Sequence, residues 1–410
     1  MWQRLQIFLA VLGVYGIYSL LHNTFMLHFH QEQDLSTRVS STDISTSLAM
    51  TNTVPIKVVN ASFTPGKLHI VTLADNPTRE ELCPSAASLY TQGYVLGVLG
   101  WNYSDTFFDK KTCGTPCQAN RDHNNRFGQQ KKLHWLHYYL EHHPSLHDDD
   151  LVLFTDAWDV IVNGNVSTIP QLFLKQTMGK RGVIFNGEPS CGDSFGMNGH
   201  YGDKLREKQW PIRLHKEQKL HYANGRDMCY AIAVKTMIST PISGPNWSLG
   251  SGGIVGDVAT VREFLRRVHQ IRIEQELEYA KNPEQSFLFE GDQILFQLAY
   301  LRFPEINAII DTQAEIFFVL SFLVGEGDFT EFSMEKGCTM NYLANNIGSK
   351  FTLNNITPIF FHFPGSSKRH LNQCFSCVAR ERAHLRPNQY FMDIDRQQNV
   401  SIHDVCQRYA

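Results

Sequence analysis

Between Leu68 and Asn186 one pattern recurs: a short apolar run, a polar break, an amphipathic stretch, then another apolar run. Leu68–Ala74 (LHIVTLA), Tyr94–Leu99, Leu151–Thr155 and Gly182–Asn186 have the length and composition of buried strands. Pro84–Gln92 reads as a helix with Pro at its start and Gly93 as its stop. Gln129–His142 reads as a second helix, with Leu133, Leu136, Tyr139 and Leu140 on one side. Strands that alternate with helices bury both faces of a sheet, so the pattern predicts a doubly wound α/β core. Farther along, Val258–Ala280 and Asp292–Arg302 read as helices, and Ile316–Leu320 and Pro358–Phe363 as strands. The run Phe317–Phe322 is too short to span a bilayer and reads as core.

Composition narrows the class. The 410-residue chain is 42% hydrophobic and 19% charged, a folding composition. Its net charge of −3 excludes a general polyanion binder, so no nucleic-acid partner is expected. No collagen period, heptad array or longer repeat is visible.

The N-terminal region predicts the compartment. Residues 5–29 contain no Asp, Glu, Lys or Arg, and Leu5–Leu21 is continuously apolar enough to approach a bilayer span. Arg4 precedes the run and Arg38 is the next basic residue, so the positive-inside rule places the N-terminus in the cytosol and the rest in a lumen. A cleaved signal peptide needs small residues before its cut, whereas HNTFMLHFH is bulky, so an uncleaved signal anchor is the preferred reading. Sequons at Asn60, Asn102, Asn165, Asn246, Asn355 and Asn399 agree with a lumenal body. So do Cys83, Cys113, Cys117, Cys191, Cys229, Cys338, Cys374, Cys377 and Cys406, which an oxidising lumen would pair with one left over. Cys113–Cys117 and Cys374–Cys377 can be read as zinc pairs, but their separation does not suit a ribbon or finger, and disulfides are preferred. The expected organisation is a cytosolic tail (1–4), a signal-anchor transmembrane segment (5–29), a lumenal stem (30–67), a catalytic domain (68–368) and a small disulfide-tied, Cys-containing tail (369–410). That is a single-pass type II protein of the Golgi or endoplasmic reticulum membrane. Dimerisation through the membrane segment or the odd cysteine stays open.

Four segments carry chemistry. The strand Leu151–Thr155 delivers Asp156 and Asp159 at its carboxyl end, the edge at which open α/β sheets bind ligands. Two carboxylates across a tight turn suit a hard cation such as Mn²⁺ or Mg²⁺ and its bound phosphates, although an Asp-rich turn alone is common. Trp247–Gly256 contains Gly250, Gly252, Gly253 and Gly256, which either admit a ligand close to the backbone or form a tight turn between strands. It lacks the Walker lysine and the Rossmann spacing. Glu290-Gly291-Asp292-Gln293 opens a helix, where Asp292 either caps it or presents a carboxylate to an acceptor hydroxyl. Phe360-Phe-His362-Phe-Pro-Gly365-Ser-Ser-Lys368 offers a metal-ligating imidazole and a phosphate-neutralising cation. By contrast, His134, His137, His142, His143 and His147 read as a solvated helix end, Asp148–Asp150 lie at the wrong edge of the sheet, and Arg262, Arg266 and Arg267 read as a solvated face. Asp393-Ile394-Asp395 lacks the Gly and Glu of a calcium loop.

In this order and at these separations, the segments resemble the glycosyltransferase domain of the procollagen lysyl hydroxylase/glycosyltransferase proteins and its stand-alone collagen galactosyl- and glucosyltransferase-like relatives. The Asp-x-x-Asp motif is matched by Asp156 and Asp159, and the acid-and-Cys strand end by Glu188 and Cys191. Leu-Asn-Ser-Gly-Gly is matched by Leu249-Gly250-Ser251-Gly252-Gly253, Asp-Gln by Asp292-Gln293, and His-x-x-Gly-x-x-Lys by His362, Gly365 and Lys368. Gly128-Gln-Gln-Lys131-Lys132 resembles the helix start that faces the donor, and Trp101 the aromatic residue that stacks on uridine. The resemblance implies a GT-A-like mixed sheet flanked by helices and Mn²⁺-dependent use of a UDP-sugar. It implies a metal held by Asp156, Asp159 and His362. Trp101, Lys132, Asp156, Ser251, Gly252, Gly253, Gly365 and Lys368 would bind the donor, with Asp292 and Glu290 near the sugar or the acceptor. Three positions depart from the motifs: Gly291 separates Glu290 from Asp292, Gly250 replaces the Asn, and Gly192-Asp193 replace Trp-Pro after the Cys. The stretch after Lys368 is too short for a lysyl hydroxylase domain, so transfer activity alone is expected.

The sequence reading is therefore a membrane glycosyltransferase that moves glucose or galactose from a UDP-sugar to a hydroxyl of a secretory-pathway glycoprotein or glycan. Its rival is an inactive relative that keeps nucleotide or glycan binding and serves as a scaffold. A metal-dependent phosphoesterase would need ligands for a second metal, and a sugar hydrolase has no use for the metal-and-lysine pattern.

Overall fold

Strand β3 (Leu151–Asp156) decides how the molecule is layered. Its side chains alternate: Val152 and Phe154 enter one apolar cluster, Leu151 and Leu153 another. Both faces of the strand are thus covered, as a doubly wound sheet requires. The computed structural model describes residues 63–76, 80–101, 131–189, 191, 210–215, 218–222, 225–240, 244, 246–281, 291–319, 357–364 and 388–406. All of these belong to one compact unit, Ala61–Ala410. The anchor and most of the stem therefore lie outside the described residues, as do Cys113, Cys117, Cys338, Cys374 and Cys377. Among the described residues, no helix is long and apolar enough to cross a membrane.

β3 lies inside an eight-stranded mixed sheet with β1 (Leu68–Leu73), β2 (Gly97–Leu99), β5 (Val183–Glu188), β8 (Ser248–Asp257), β9 (Ala308–Asp311), β12 (Tyr390–Asp393) and β13 (Gln398–Ser401). The order is β13-β12-β2-β1-β3-β8-β5-β9. β1, β2, β3 and β12 run parallel, whereas β8 runs antiparallel to both β3 and β5. Helices α2 (Lys131–His142), α4 (Gly225–Ser239), α5 (Val258–Lys281) and α6 (Asp292–Arg302) pack on one face. Helices α1 (Cys83–Thr91) and α3 (Ile169–Gln176) pack on the other. Each fully buried Leu, Val or Phe in these layers stabilises by about 1.5–3 kcal/mol.

α1 obeys its punctuation: Pro84 sits in its first turn, and Gly93 (φ +83°) ends it while the Tyr94 amide returns to the Leu89 carbonyl. A second sheet, β10 (Phe317–Val319), β11 (Phe360–His362) and β4 (Val160–Val162), leans on the first through Phe317. A two-stranded ribbon, β6 (Trp210–His215) and β7 (Gln218–Tyr222), completes the strands.

Some expectations from the sequence change here, and others gain their contacts. The glycine-rich segment is not a tight turn but β8, buried along its whole length. The C-terminal residues add β12 and β13 to the main sheet, and a Cys83–Cys406 disulfide fastens the end of the short helix α7 (Ile402–Val405) to α1. A second disulfide joins Cys191 to Cys229. Asn246 is buried and so is Ser248 of its sequon, whereas Asn165 and Asn399 are exposed. His134 and His137 are not solvated: both rings pack at 4.9 Å against His269 of α5. Arg262, Arg266 and Arg267 pair with Asp148 and Glu263. Asp150 is a structural buttress at the far edge, accepting from the Lys67 and His147 amides.

Candidate active site

The site lies at the carboxyl end of β3, where strand register brings three chain segments together. Thr155 of β3 pairs with Gly253 of β8, and the turn after Asp156 leads into β4, whose Val160 pairs with His362 of β11. Asp156, Asp159 and His362 consequently converge: each offers a ligand atom, and these atoms lie within 4.8 Å of one another. His362 Nε2 is 3.6 Å from an Asp156 oxygen and 3.7 Å from an Asp159 oxygen. Those distances are too long for hydrogen bonds. Among the described residues neither ring nitrogen of His362 has a hydrogen-bond partner, although the side chain is buried.

This donor set fits a divalent ion. Two carboxylate oxygens and one imidazole suit Mn²⁺ or Mg²⁺, and two bonds of about 2.1 Å would span nearly the observed separations. Burial alone would lower the His362 pKa, but Asp159 and Asp156 outweigh it and raise it to about 9. A metal ion entering at neutral pH would displace that proton.

Lys132, from the first turn of α2, reaches Asp156 of the triad and Asp292. Its Nζ lies 2.9 Å from Asp156 Oδ1 and 2.7 Å from Asp292 Oδ2, and donates to the Ser251 carbonyl at 3.3 Å. Burial opposes its charge, but Asp156 and Asp292 outweigh burial and hold Lys132 firmly protonated. Burial would likewise raise the Asp156 pKa, yet Lys132 and His362 hold it well below the usual carboxylate range. Asp292 is the first residue of α6 behind the cap residue Gly291, and its carboxylate caps nothing. It serves the Lys132 ion pair instead.

β8 makes room for this assembly. A Cβ on Gly252 would lie 2.0 Å from His362 Cε1, and one on Gly253 2.6 Å from the Phe317 ring. The glycines thus admit protein side chains against a buried strand. Of the residues expected at the site, Lys132, Asp156, Asp159, Ser251, Gly252, Gly253, Asp292 and His362 are brought together. Glu290, Gly365 and Lys368 lie outside the described residues. Trp101 follows β2, two strands from β3, which is about 10 Å across the sheet. It is only 4% exposed, with its ring edge-on to Phe391, so the uridine stack expected of it finds its indole in the core.

Sequence reasoning left Asn186 and Gln293 without a role. Asn186 Oδ1 accepts the Gly253 amide at 2.9 Å, and Gln293 Nε2 donates to Glu188 at 3.2 Å. The available signal was β5 ending in polar residues, Asn186 and Glu188, where an apolar strand would continue.

Part of the site lies within a family match. Residues 103–240 match the family model described as the PLOD GT domain, which represents the collagen glycosyltransferase-like family. That span holds Lys132, Asp156, Asp159, Asn186 and Glu188. β8, Asp292 and His362 lie beyond it. No curated protein matches the chain. Among solved structures, the apo form of the bifunctional glycosyltransferase WbbM is similar with a TM-score of 0.39 and 13% identity, over 81% of this chain and 52% of that one. This chain therefore spans about half of that structure's length.

Proposed function

We propose that this chain is a metal-dependent glycosyltransferase that transfers a hexose, glucose or galactose, from a UDP-sugar to a hydroxyl of a secretory-pathway glycoprotein or glycan. The observation that carries the reading is the Asp156–Asp159–His362 triad at the carboxyl end of β3, with Lys132 beneath it. The PLOD GT match across Lys132, Asp156 and Asp159 supports the class.

Cleaving the anomeric C–O bond leaves negative charge on the UDP diphosphate. A divalent ion held by Asp156, Asp159 and His362 supplies Lewis-acid neutralisation of that charge. Lys132 adds a fixed positive charge, preset by Asp292, in a buried position where electrostatic preorganisation is most effective. Gly252 and Gly253 let His362 and Phe317 close against β8, which packs the imidazole into the site. Membrane anchoring through residues 5–29 and residence in the Golgi or endoplasmic reticulum belong to the same reading, as does a GT-A-type sheet. The apolar, acid-free N-terminal run and the Cys83–Cys406 and Cys191–Cys229 disulfides support the compartment, and the mixed eight-stranded sheet supports the fold type.

The test is nucleotide release from a panel of UDP- and GDP-sugars with Mn²⁺, using Asp159→Ala as the control. Release from one UDP-sugar that is lost in the variant and after chelation is expected. Absence of both release and metal-dependent UDP binding would sink the assignment.

A further inference from the structure

Beside the triad, the floor of the site holds a buried donor with nothing to donate to. Asn186 lies on β5 with its side chain fully buried. Its Oδ1 accepts the Gly253 amide. A backbone N–H only donates, so this bond fixes the orientation of the carboxamide and leaves Nδ2 on its other side. There, Nδ2 hangs over Gly250: a Cβ on that glycine would lie 2.3 Å from it. Among the described residues Nδ2 has no hydrogen-bond partner. Stripping a donor of water without replacing the bond is costly, and such a group calls for an explanation.

Its surroundings supply one. Glu188 is two residues along β5 on the same face, and its Oε1 would lie 2.7 Å from the same Gly250 Cβ. On β8, Gly252 is two residues from Gly250, in the stretch where the pairing with β5 shifts register. Gly252 lies against the His362 ring. The triad thus meets β8 at Gly252, and the Asn186 amide and Glu188 carboxylate meet it at Gly250. The Asn186 bond to the Gly253 amide ties the carboxamide to the same edge, because Gly253 pairs with Thr155 of β3. Position 250 is also where the motif of the first section has Asn and this chain has Gly. The carboxamide absent from β8 is supplied by the adjacent strand, in the space a side chain at 250 would fill.

We propose that Asn186 is a specificity-determining residue whose Nδ2 donates to a hydroxyl of the hexose on the UDP-sugar, over Gly250. The inference rests on the donor reading above. The test uses the full chain with Mn²⁺ and measures calorimetric affinities for UDP, UDP-glucose and UDP-galactose. The quantity read is the gain in affinity of the better UDP-hexose over UDP.

Asn186→Asp keeps an acceptor for the Gly253 amide and removes the donor. The gain should fall tenfold or more while UDP affinity stays within twofold. Gly250→Ala pushes the amide from the opposite side and should lower the gain in the same direction, so it carries the test if Asn186→Asp does not fold. Equal loss of UDP and UDP-hexose affinity would mean a structural role only and would overturn the inference, as would an unchanged gain. A wild-type chain that binds no UDP would overturn both this inference and the reading beneath it.

Discussion

Gly252→Ala is the sharpest probe of the triad, because it touches none of the proposed ligands yet is aimed at one of them. The added methyl would start 2.0 Å from His362 Cε1 and 2.7 Å from both ring nitrogens. Carbon–carbon contacts settle near 3.5–4.0 Å, so the imidazole or the strand must give by about 1.5 Å. Both backbones are held, β8 between β3 and β5 and β11 between β10 and β4, so the imidazole, a side chain that can turn about its own bonds, is the part that retreats. Metal–ligand bonds tolerate about 0.2 Å. Overpacking of this kind costs about 1–3 kcal/mol, which corresponds to roughly 5- to 150-fold in Mn²⁺ affinity. Calorimetric Mn²⁺ titration of the full chain reads it directly. Gly179→Ala is the control: Gly179 has φ +71° with nothing near its Cβ, so it should lose stability without losing metal. A folded Gly252→Ala protein with wild-type Mn²⁺ affinity would show that His362 is not seated on β8 as a ligand, and the triad would fail with it.

Other outcomes follow from the same contacts. Lys132→Met leaves Asp156 and Asp292 without their shared cation and should cost about 3 kcal/mol of unfolding free energy in denaturant titration, part of it recovered by Mn²⁺. Equal stability with and without the lysine would contradict the ion-pair reading. Cys406→Ser opens a link spanning 323 residues and should destabilise by up to about 5 kcal/mol on loop-entropy grounds, with protease sensitivity appearing first at β12 and β13. Acid should weaken the contact between α2 and α5. Burial, with Arg272 and His137 nearby, holds His134 near pKa 4, and burial with His134, His137 and Arg272 holds His269 near 3. Both are neutral when folded, but the unfolded chain protonates them below about 6.5. Stability should therefore fall as pH drops from 6.5 toward 4, by at most about 1.4 kcal/mol per pH unit for each histidine. His269→Gln should flatten that slope in unfolding titrations at pH 7, 6 and 5, and an unaltered slope would refute it.

The parts of this fold that were legible in the sequence are those whose signal is local. β3 could be read because two strand faces are both buried, so its run is continuously apolar, and α1 because Pro84 and Gly93 act on their own backbone. Asp156 and Asp159 could be placed because a strand's end fixes where the next residues go. β8 could not be read, since its four glycines have poor strand propensity and earn their place only through partners distant in sequence: Asn186, His362 and Phe317. The same holds for His134, whose neighbour His269 is on another helix, and for Trp101, whose burial depends on Phe391. Patterning along the chain carries no record of which glycine lies beneath which ring.

The direction of β8 explains why those distant partners meet. Parallel strands β3 and β5 both end at the same edge, with Asp156 and Glu188 as their last residues. Between two such strands, a third parallel strand would bring its own carboxyl end to that edge, followed by a loop. β8 instead runs the other way, so it begins there: Ser248 pairs with Glu188, and Gly253 with Thr155. Ser248 and Leu249 are thus held against β5 and Gly253 against β3, at the edge where ligands bind, with Gly250, Ser251 and Gly252 bridging the register shift between them. A floor made of sheet is stiffer than a floor made of loop, and a glycine strand adds depth because nothing projects from it. His362 of the triad meets that floor at Gly252, and the Asn186 amide meets it at Gly250. A substitution at Gly250 or Gly252 therefore acts on one end of the site or the other, and measuring metal and sugar affinity in both variants separates the two.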